Sequence, residues 1–173
     1  MLGRLVNDAY RSGKQSPAAL WGNLQSDLRR LDGLFVNLEC CLSTRGEPWP
    51  GRRFHFRADP EWATDALRAA TVDCCSLANN HAMDFGPDAL DETLSALSAA
   101  DIETVGAGPS REAARRPAAV DCRGLTVAVV AFTDNTPAYA ATAARSGTAH
   151  VEFDPDAEAS MTVLAEAIEA AKR

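Results

Sequence analysis

Val72-Asp73-Cys74-Cys75-Ser76-Leu77-Ala78-Asn79-Asn80-His81 is the stretch of this 173-residue chain that decides its fold. It opens with a short apolar run between helical patterns, which predicts a buried strand over 72–77. Dense polar sequence follows at once, with Asp84 and Gly86 just beyond it. Three further buried strands are predicted at 34–36, 102–105 and 125–132, with 118–120 as the antiparallel partner of the last.

Between these strands, helix starts are marked by a capping side chain followed by proline. The three pairs are Ser16-Pro17, Asp59-Pro60 and Asp154-Pro155, and a further helix is predicted near Pro87. Apolar residues then recur at helical spacing, which predicts a buried stripe on a helix. The stripes are Leu20, Leu24, Leu28 and Leu31 after Ser16, Leu90, Leu94 and Leu97 after Pro87, and Met161, Leu164, Ala165 and Ile168 after Asp154.

Strands that alternate with helices predict an α/β fold with a mostly parallel sheet covered on both faces. The length suits one domain spanning 1–173. Both ends look cut, because helix-like sequence follows Met1 almost directly and no strand follows the last helix. We therefore expect an incomplete domain, truncated at its N- and C-termini. The longest irregular stretch, 42–58, is predicted to be a functional loop or a lid.

The chain is acidic, with a formal net charge of −7 and a pI near 4.9. An acidic surface repels phosphate backbones and anionic headgroups, so neither nucleic acid nor a membrane surface is an expected partner. A small anionic substrate stays compatible with this charge, because a bound metal ion inverts the local field. No apolar run is long enough to span a membrane, and no signal peptide is visible.

The five cysteines form two adjacent pairs and a singleton, without any Cys-X-X-Cys spacing. A structural zinc site is therefore not expected. Neighbouring residues of a strand point to opposite faces, so Cys74 and Cys75 are poorly placed to bridge each other. We expect the cysteines to be small buried hydrophobes in a reducing compartment.

Polar side chains follow two of the predicted strands, at the strand ends where ligands bind in open α/β sheets. The first strand runs into Asn37 and Glu39, and the second runs into Asn80, His81 and Asp84. A carboxylate and an amide oxygen are candidate metal ligands, and the imidazole is a candidate proton donor. Asp84 is placed to orient that imidazole. The alternative is a plain turn, because asparagine tolerates left-handed backbone and caps backbone groups.

A longer series of motifs runs in order over nearly the whole chain. Its members are Met1-Leu2-Gly3-Arg4, Asn37-Leu38-Glu39, Arg45-Gly46-Glu47-Pro48, Phe54-His55-Phe56-Arg57-Ala58, Leu77-Ala78-Asn79-Asn80-His81, Gly106-Ala107-Gly108 and Ala131-Phe132-Thr133-Asp134. This series resembles the bacterial capsule-synthesis CapA family, also called the poly-γ-glutamate biosynthesis domain. The Leu-Ala-Asn-Asn-His block is the most specific element of the resemblance.

The resemblance implies a calcineurin-like metallophosphatase fold, a layered α/β sandwich whose related enzymes hold two metal ions. It implies that Glu39 and Asn80 are ligands of manganese, iron or zinc, and that His81 stabilises or protonates the leaving group. Two features of the family are absent from this sequence: a Gly-Asp pair before the methionine matching Met1, and a later His-Trp-Gly segment. We therefore expect the complete protein to bind metal and this chain alone to be inactive.

By the same resemblance, the complete protein is a metal-dependent hydrolase- or transferase-type enzyme of poly-γ-glutamate capsule assembly or export. The expected substrate is an anionic polymer or a small phosphorylated or carboxylated molecule, contacted by Arg53, His55 and Arg57. The alternative is a non-catalytic module that binds an anionic polymer or a protein of the synthesis complex, chiefly through loop 42–58. A cytoplasmic or membrane-associated location is expected, and no anchor is visible in this sequence.

Overall fold

The computed structural model of the chain describes residues 1–154, 156 and 158–172. The helices are α1 (Leu5–Tyr10), α2 (Gln25–Leu28), α3 (Pro60–Ala69), α4 (Gly86–Ala99), α5 (Arg111–Ala114) and α6 (Glu158–Ala171), with 3-10 helices at Pro17–Leu24 and Pro137–Tyr139. The strands are β1 (Phe35–Asn37), β2 (Cys41–Leu42), β3 (Arg57–Ala58), β4 (Cys74–Ser76), β5 (Glu103–Val105), β6 (Ala107–Gly108), β7 (Ala118–Cys122), β8 (Leu125–Val129) and β9 (Gly147–Thr148). The fold is α/β, as predicted.

The central sheet is parallel and has the strand order β1-β4-β5. Phe35 pairs with Cys74 at one end of β1, and Asn37 pairs with Ser76 at the other. The connections from β1 to β4 and from β4 to β5 carry the helices α3 and α4, as parallel strands require. The carboxyl ends of all three strands therefore meet at one edge of the sheet. The predicted strands at 34–36, 72–77 and 102–105 are confirmed, with slightly different bounds.

The other strands form separate two-stranded pairs and do not extend this sheet. The pair β2–β3 is parallel, whereas β6–β9 and β7–β8 are antiparallel. The predicted pairing of 118–120 with the next strand is confirmed. The prediction of a buried strand over 125–132 is wrong, because β8 ends at Val129 and its residues are exposed or half-buried. The hairpin buries one face only, through Ala118 and Val120 of β7.

The predicted burial of strand 34–36 is also wrong, because Leu34 and Val36 are half-buried and Phe35 is exposed. Phe35 is exposed because β1 pairs only with β4 and lies at the edge of the sheet in the part of the chain described here. Only one side of an edge strand is shielded by a neighbour.

The prediction of one continuous helix after Ser16 is wrong. Gly22 has a φ of 53° and a ψ of −134°, which ends the 3-10 helix geometry before α2 begins. Leu24 and Leu31 are exposed as a result, and the side chain of Ser16 makes no capping hydrogen bond. A leucine at every third or fourth position forms one stripe only while the backbone stays helical.

The helices α3 and α4 are confirmed. Asp59 caps α3 by accepting a hydrogen bond from the Glu61 N–H at 3.0 Å. Leu90 and Leu97 of α4 are fully buried against the sheet, in the same core cluster as Leu67 of α3 and Cys75 of β4. These two helices fix the connections on either side of β4, and so they fix the strand ends at which the polar residues lie.

The last predicted helix corresponds to α6, which begins at Glu158, and Pro155 lies outside the described residues. The predicted burial of its apolar stripe is wrong, because Met161, Ala165 and Ile168 are exposed and Leu164 is half-buried. The buried residue of α6 is Ala167. Within the described residues, no helix combines the length and the apolarity that a bilayer crossing demands.

The cysteines are free thiols, and four of the five are buried. Burial raises the pKa of Cys40, Cys41 and Cys75 to about 12, so these thiols stay protonated at neutral pH. The prediction of buried hydrophobic cysteines is thus confirmed for the two pairs, whereas Cys122 is half-exposed.

Candidate active site

The polar residues predicted from the strand ends do lie together at the carboxyl edge of the sheet. Beyond β1, the Leu38 N–H donates to the Ser76 carbonyl at 3.0 Å, so the parallel pairing continues toward Glu39. Beyond β4, residues 79–85 turn tightly before α4 begins at Gly86. This turn brings His81 back toward the end of β1.

Asn79 joins the two strand ends. Its amide nitrogen donates to the Asn37 side-chain oxygen and to the Leu38 carbonyl, both at 3.0 Å. Its amide oxygen accepts from the His81 N–H at 2.9 Å. Asn37 in turn donates to Oε1 of Glu39 at 3.2 Å. A network of amides therefore fixes the spacing between the carboxylate and the imidazole.

His81 and Glu39 face each other at this edge. Nε2 of His81 lies 4.0 Å from Oε2 of Glu39, too far for a direct hydrogen bond. The His81 side chain is 12% exposed and that of Glu39 is 37% exposed. Solvent therefore reaches the Glu39 carboxylate more readily than the imidazole.

Asp84 holds the opposite side of the imidazole. Its Oδ2 lies 2.8 Å from Nδ1 of His81 and also accepts from the Phe56 N–H at 2.8 Å. The carboxylate is fully buried, and a carboxylate can only accept. Nδ1 of His81 therefore carries a hydrogen and donates a hydrogen bond to Asp84. The remaining nitrogen, Nε2, is left facing Glu39.

The second oxygen of Asp84 faces two residues that the sequence did not point to. The Tyr139 hydroxyl donates to Oδ1 at 3.4 Å, and Nε of Arg52 lies 3.5 Å from the same oxygen. Burial raises the pKa of the Tyr139 phenol, so the hydroxyl keeps the proton that it donates. Arg52 also lies over the Tyr139 ring, with Cζ 5.4 Å from its centroid. A buried charge is costly unless it is paired, and these donors supply the pairing.

The two ends of loop 42–58 pair with each other, and the loop contacts the candidate active site. β2 and β3 pair at its two ends, and the Trp49 N–H donates to the Asp84 carbonyl at 2.8 Å. The Phe56 ring meets the His81 ring edge-on, with centroids 4.8 Å apart. The loop therefore forms one wall of the site, although its middle carries no strand or helix.

The three predicted substrate-binding residues differ in how they are placed. Nε2 of His55 lies 2.8 Å from the Trp49 carbonyl, and Arg57 stacks on the Phe85 ring at 4.0 Å while donating to the carbonyls of residues 45 and 46. These contacts fasten the loop. Arg53 is exposed, with its guanidinium over Phe54. A substrate-binding role stays a prediction for all three.

Sequence reasoning missed Asn79, Arg52 and Tyr139. It chose Asn80 as the functional amide, whereas the hydrogen bonds that tie the strand ends together come from the neighbouring Asn79. The alternation of an extended segment indicates that Arg52 and Arg53 point to opposite sides, but not which one faces inward. Tyr139 lies 55 residues after Asp84 in the chain, and no local pattern announces their contact.

The residues of this chain do not by themselves fit the dinuclear metal centre that the resemblance implies. Among the described residues, no group of three or more His, Cys, Asp or Glu side chains is arranged to hold a metal ion. Asp84 is fully buried, which leaves Glu39, with 37% of its side chain exposed, as the accessible carboxylate, and Asn80 is half-buried in the turn after β4. One carboxylate and one amide supply too few ligands for two divalent ions.

Comparison with known proteins identifies the family to which the chain belongs. The model of the family described as bacterial capsule synthesis protein PGA_cap matches residues 1–173. A probable polyglutamine synthesis accessory protein of Mycobacterium tuberculosis strain H37Rv is 38% identical over 102 residues, which are 58% of this chain and 27% of that protein.

Two curated Bacillus proteins are also similar. The capsule biosynthesis protein CapA of Bacillus anthracis is 31% identical over 83 residues, which are 48% of this chain and 20% of that protein. The PGA biosynthesis protein CapA of Bacillus subtilis strain 168 is 30% identical over 84 residues, covering 48% and 22%. The matches thus span between 20% and 27% of the length of these relatives. Because the family model covers every residue, the chain belongs to the bacterial capsule synthesis protein PGA_cap family.

Proposed function

We propose that this chain forms part of a hydrolase- or transferase-type active site, which acts on poly-γ-glutamate or a related carboxylated or phosphorylated substrate in capsule synthesis. The observation that carries the proposal is the position of His81 between two carboxylates. Asp84 lies 2.8 Å from Nδ1, and Glu39 lies 4.0 Å from Nε2. An imidazole that is oriented on one side and accessible on the other is suited to proton transfer.

His81 is the proton-transfer group in this proposal. Because Asp84 accepts a hydrogen bond from the Nδ1–H group, Nε2 carries the lone pair that can take a proton from an attacking water or hydroxyl. The imidazolium that results is stabilised by the Asp84 charge and can return the proton to the leaving group. Phe56 shields one side of the ring, which limits competition from bulk water.

Glu39 contributes the second charge. Its Oε1 is held by Asn37, while Oε2 faces Nε2 of His81. In this position the carboxylate can orient a water molecule toward the substrate, or it can stabilise the imidazolium. Removing its charge should therefore lower turnover more than it lowers substrate binding.

We also propose that the complete domain is a layered α/β sandwich of the calcineurin-like metallophosphatase type that binds manganese, iron or zinc. The parallel order β1-β4-β5 and the carboxylate and amide at the strand ends support this proposal. Such an ion would polarise the substrate or lower the pKa of a bound water. It would need ligands in addition to Glu39 and Asn80.

The experiment that tests the proposal compares turnover of poly-γ-glutamate by the complete protein that carries this chain with turnover by His81→Ala and Glu39→Gln variants. Glu47→Gln, an exposed carboxylate in loop 42–58, is the matched charge control. We expect His81→Ala to abolish turnover, Glu39→Gln to reduce it strongly, and Glu47→Gln to leave it unchanged, with circular dichroism unaltered in all three. Full activity of a folded His81→Ala protein contradicts the proposal.

A second candidate is a non-catalytic module that binds an anionic polymer or a protein of the capsule-synthesis complex. The arginine-rich segment of loop 42–58 favours it, because Arg53 is exposed beside an exposed aromatic ring. Metal analysis of the complete protein separates the two candidates. Near-stoichiometric metal that is lost on Glu39→Ala supports the enzyme, and persistent absence of metal supports the module.

A further inference from the structure

We propose that Arg4 and Arg53, which share the exposed ring of Phe54, form a carboxylate-binding site that holds an acidic polymer chain next to His81. Arg4 belongs to the segment before α1, and no functional role was expected for it. The link from this binding site to turnover rests on the function proposed above, whereas the binding itself does not.

The two arginines meet at one aromatic side chain. The guanidinium carbons of Arg4 and Arg53 each lie 5.2 Å from the centroid of the Phe54 ring. Phe54 is 45% exposed, and both arginines are exposed. A guanidinium held over an aromatic face loses rotational freedom but keeps its N–H donors in the plane, where they can bind a carboxylate in a bidentate manner.

Among the described residues, neither cation has an ion-pair partner. In the part of the chain that the structure describes, the ion pairs of arginine side chains involve Arg30, Arg45, Arg52 and Arg123, and none involves Arg4 or Arg53. This is notable in a chain of net charge −7, in which carboxylates outnumber cations. The two positive charges lie beside one ring, so together they attract an anion to the surface around Phe54.

The backbone of Arg4 gives a second, independent indication. Its φ of 57° and ψ of −128° lie in a region that side chains other than glycine rarely adopt. Leu2 is buried, and a Cβ on Gly3 would lie 2.6 Å from the Arg57 nitrogen, so the first residues are pressed against the end of loop 42–58. In this conformation the Arg4 guanidinium lies over the Phe54 and Phe56 rings. Strain of this kind is characteristic of functional positions.

The site is continuous with the proposed catalytic group. Arg4 also lies over the Phe56 ring, with Cζ 5.9 Å from its centroid, and Phe56 contacts the His81 ring directly. A polymer carboxylate bound at Arg4 and Arg53 thus places neighbouring units of the chain against the imidazole. The proposed ligand is a polycarboxylate peptide, because repeated carboxylates match two guanidinium groups spaced along one surface.

The test measures binding of fluorescently labelled poly-γ-glutamate to the complete protein by anisotropy, at several salt concentrations. Arg68→Ala is the matched control, since Arg68 is an exposed arginine in the last turn of α3, at the opposite edge of the sheet. We expect Arg4→Ala and Arg53→Ala each to weaken binding about tenfold, and the double variant to lose most of the salt dependence. Equal binding by these variants and by Arg68→Ala overturns the proposal.

Arg4→Gly keeps the test decisive if Arg4→Ala fails to fold, because glycine accepts a φ of 57° without strain. We expect this variant to be at least as stable as the original protein to thermal unfolding and yet to bind the polymer about tenfold more weakly. Unchanged polymer binding by a folded Arg4→Gly protein overturns the proposal. Inorganic polyphosphate that binds more tightly than poly-γ-glutamate at equal charge also overturns the choice of a carboxylate ligand.

His81→Ala separates this proposal from the proposed function. If the variant binds the polymer normally but has no turnover, both proposals are supported. If it keeps full turnover while Arg4→Ala weakens binding, the catalytic assignment fails and the binding site stands.

Discussion

Oδ2 of Asp84 lies 2.8 Å from Nδ1 of His81, and the same oxygen accepts a hydrogen bond from the Phe56 backbone. The carboxylate is fully buried, and its other oxygen faces Tyr139 and Arg52. Asp84 thus connects the turn after β4, loop 42–58 and the 3-10 helix at Pro137–Tyr139. A single side chain both orients the candidate catalytic imidazole and holds three distant segments together.

This double role predicts that Asp84→Asn damages stability as well as activity. In this variant an NH2 group replaces one carboxylate oxygen, so the buried donors that faced this oxygen lose their acceptor. We expect a loss of about 3–5 kcal/mol in the free energy of unfolding, because a buried charge network is broken. Urea denaturation measures the loss, and His81→Ala is the comparison, since it leaves Asp84 with Arg52 and Phe56. Equal stability of Asp84→Asn and the original protein contradicts the prediction.

Arg52 and Arg53 are adjacent in sequence but are predicted to respond differently to alanine. The Arg52 side chain is 22% exposed and its Nε lies 3.5 Å from Asp84, whereas Arg53 is exposed. Arg52→Ala leaves a buried carboxylate with fewer donors and should cost about 1–3 kcal/mol of stability. Arg53→Ala should change stability by less than about 0.5 kcal/mol. Thermal unfolding of the two variants, side by side, decides the matter.

Gly46 and Gly51 form another matched pair within loop 42–58. Both have a positive φ, 78° and 76° respectively. A Cβ on Gly46 would lie 2.0 Å from the Phe85 carbonyl oxygen, whereas a Cβ on Gly51 meets nothing within 4 Å. Gly51→Ala should therefore cost only the backbone term, about 1–2 kcal/mol, and Gly46→Ala should cost clearly more. Chemical denaturation checks the order, and the reverse order would contradict the packing described here.

Glu92 of α4 is predicted to make stability depend on pH. Burial alone would raise the pKa of its carboxyl, but hydrogen bonds from the Ser43 hydroxyl, from Thr44 and from the Arg45 N–H together lower it. The stabilisation is therefore complete above the ordinary glutamate pKa of 4.5, and it is lost as the pH falls through the lowered value.

Glu92→Gln should consequently lower the free energy of unfolding at pH 7, and the deficit should shrink as the pH is brought below the folded-state pKa of Glu92. Urea denaturation at pH 7 and at a pH below the folded-state pKa of Glu92 measures the change. Glu47→Gln removes an exposed carboxylate from loop 42–58 and should show no such pH-dependent difference. A deficit that is equal at both pH values would show that the hydrogen bonds do not favour the charged form.

The cysteines give a prediction about reactivity. Burial raises the pKa of Cys74 to about 11 and that of Cys40, Cys41 and Cys75 to about 12, while Cys122 is half-exposed. Desolvation and the nearby Asp73 and Asp121 carboxylates raise the pKa of Cys122 as well, but its thiol is the accessible one. One thiol per chain should therefore react with a thiol reagent at pH 8, more slowly than a free cysteine. All five should react in denaturant. Cys122→Ser should abolish the native-state reaction, and rapid labelling of that variant would contradict the burial of the two pairs.

The sequence by itself determined the parts of this protein whose causes are local. Caps and leucine spacing sufficed for α3 and α4, and short apolar runs sufficed for β1, β4 and β5. Polar residues at the ends of parallel strands were enough to predict that Glu39 and His81 approach each other, because the carboxyl ends of such strands share one edge. The spacing of three residues between His81 and Asp84 was enough to suggest their contact.

Only the tertiary structure decided which of two adjacent residues makes the contacts at the candidate active site. Asn79 rather than Asn80 ties the strand ends together, and Arg52 rather than Arg53 faces Asp84. The broken helix at Gly22 and the separate β7–β8 hairpin likewise depend on what neighbouring segments cover. Tyr139 reaches Asp84 across 55 residues of chain. Contacts between distant segments depend on how the whole chain packs around its core, and local sequence periodicity does not specify that packing.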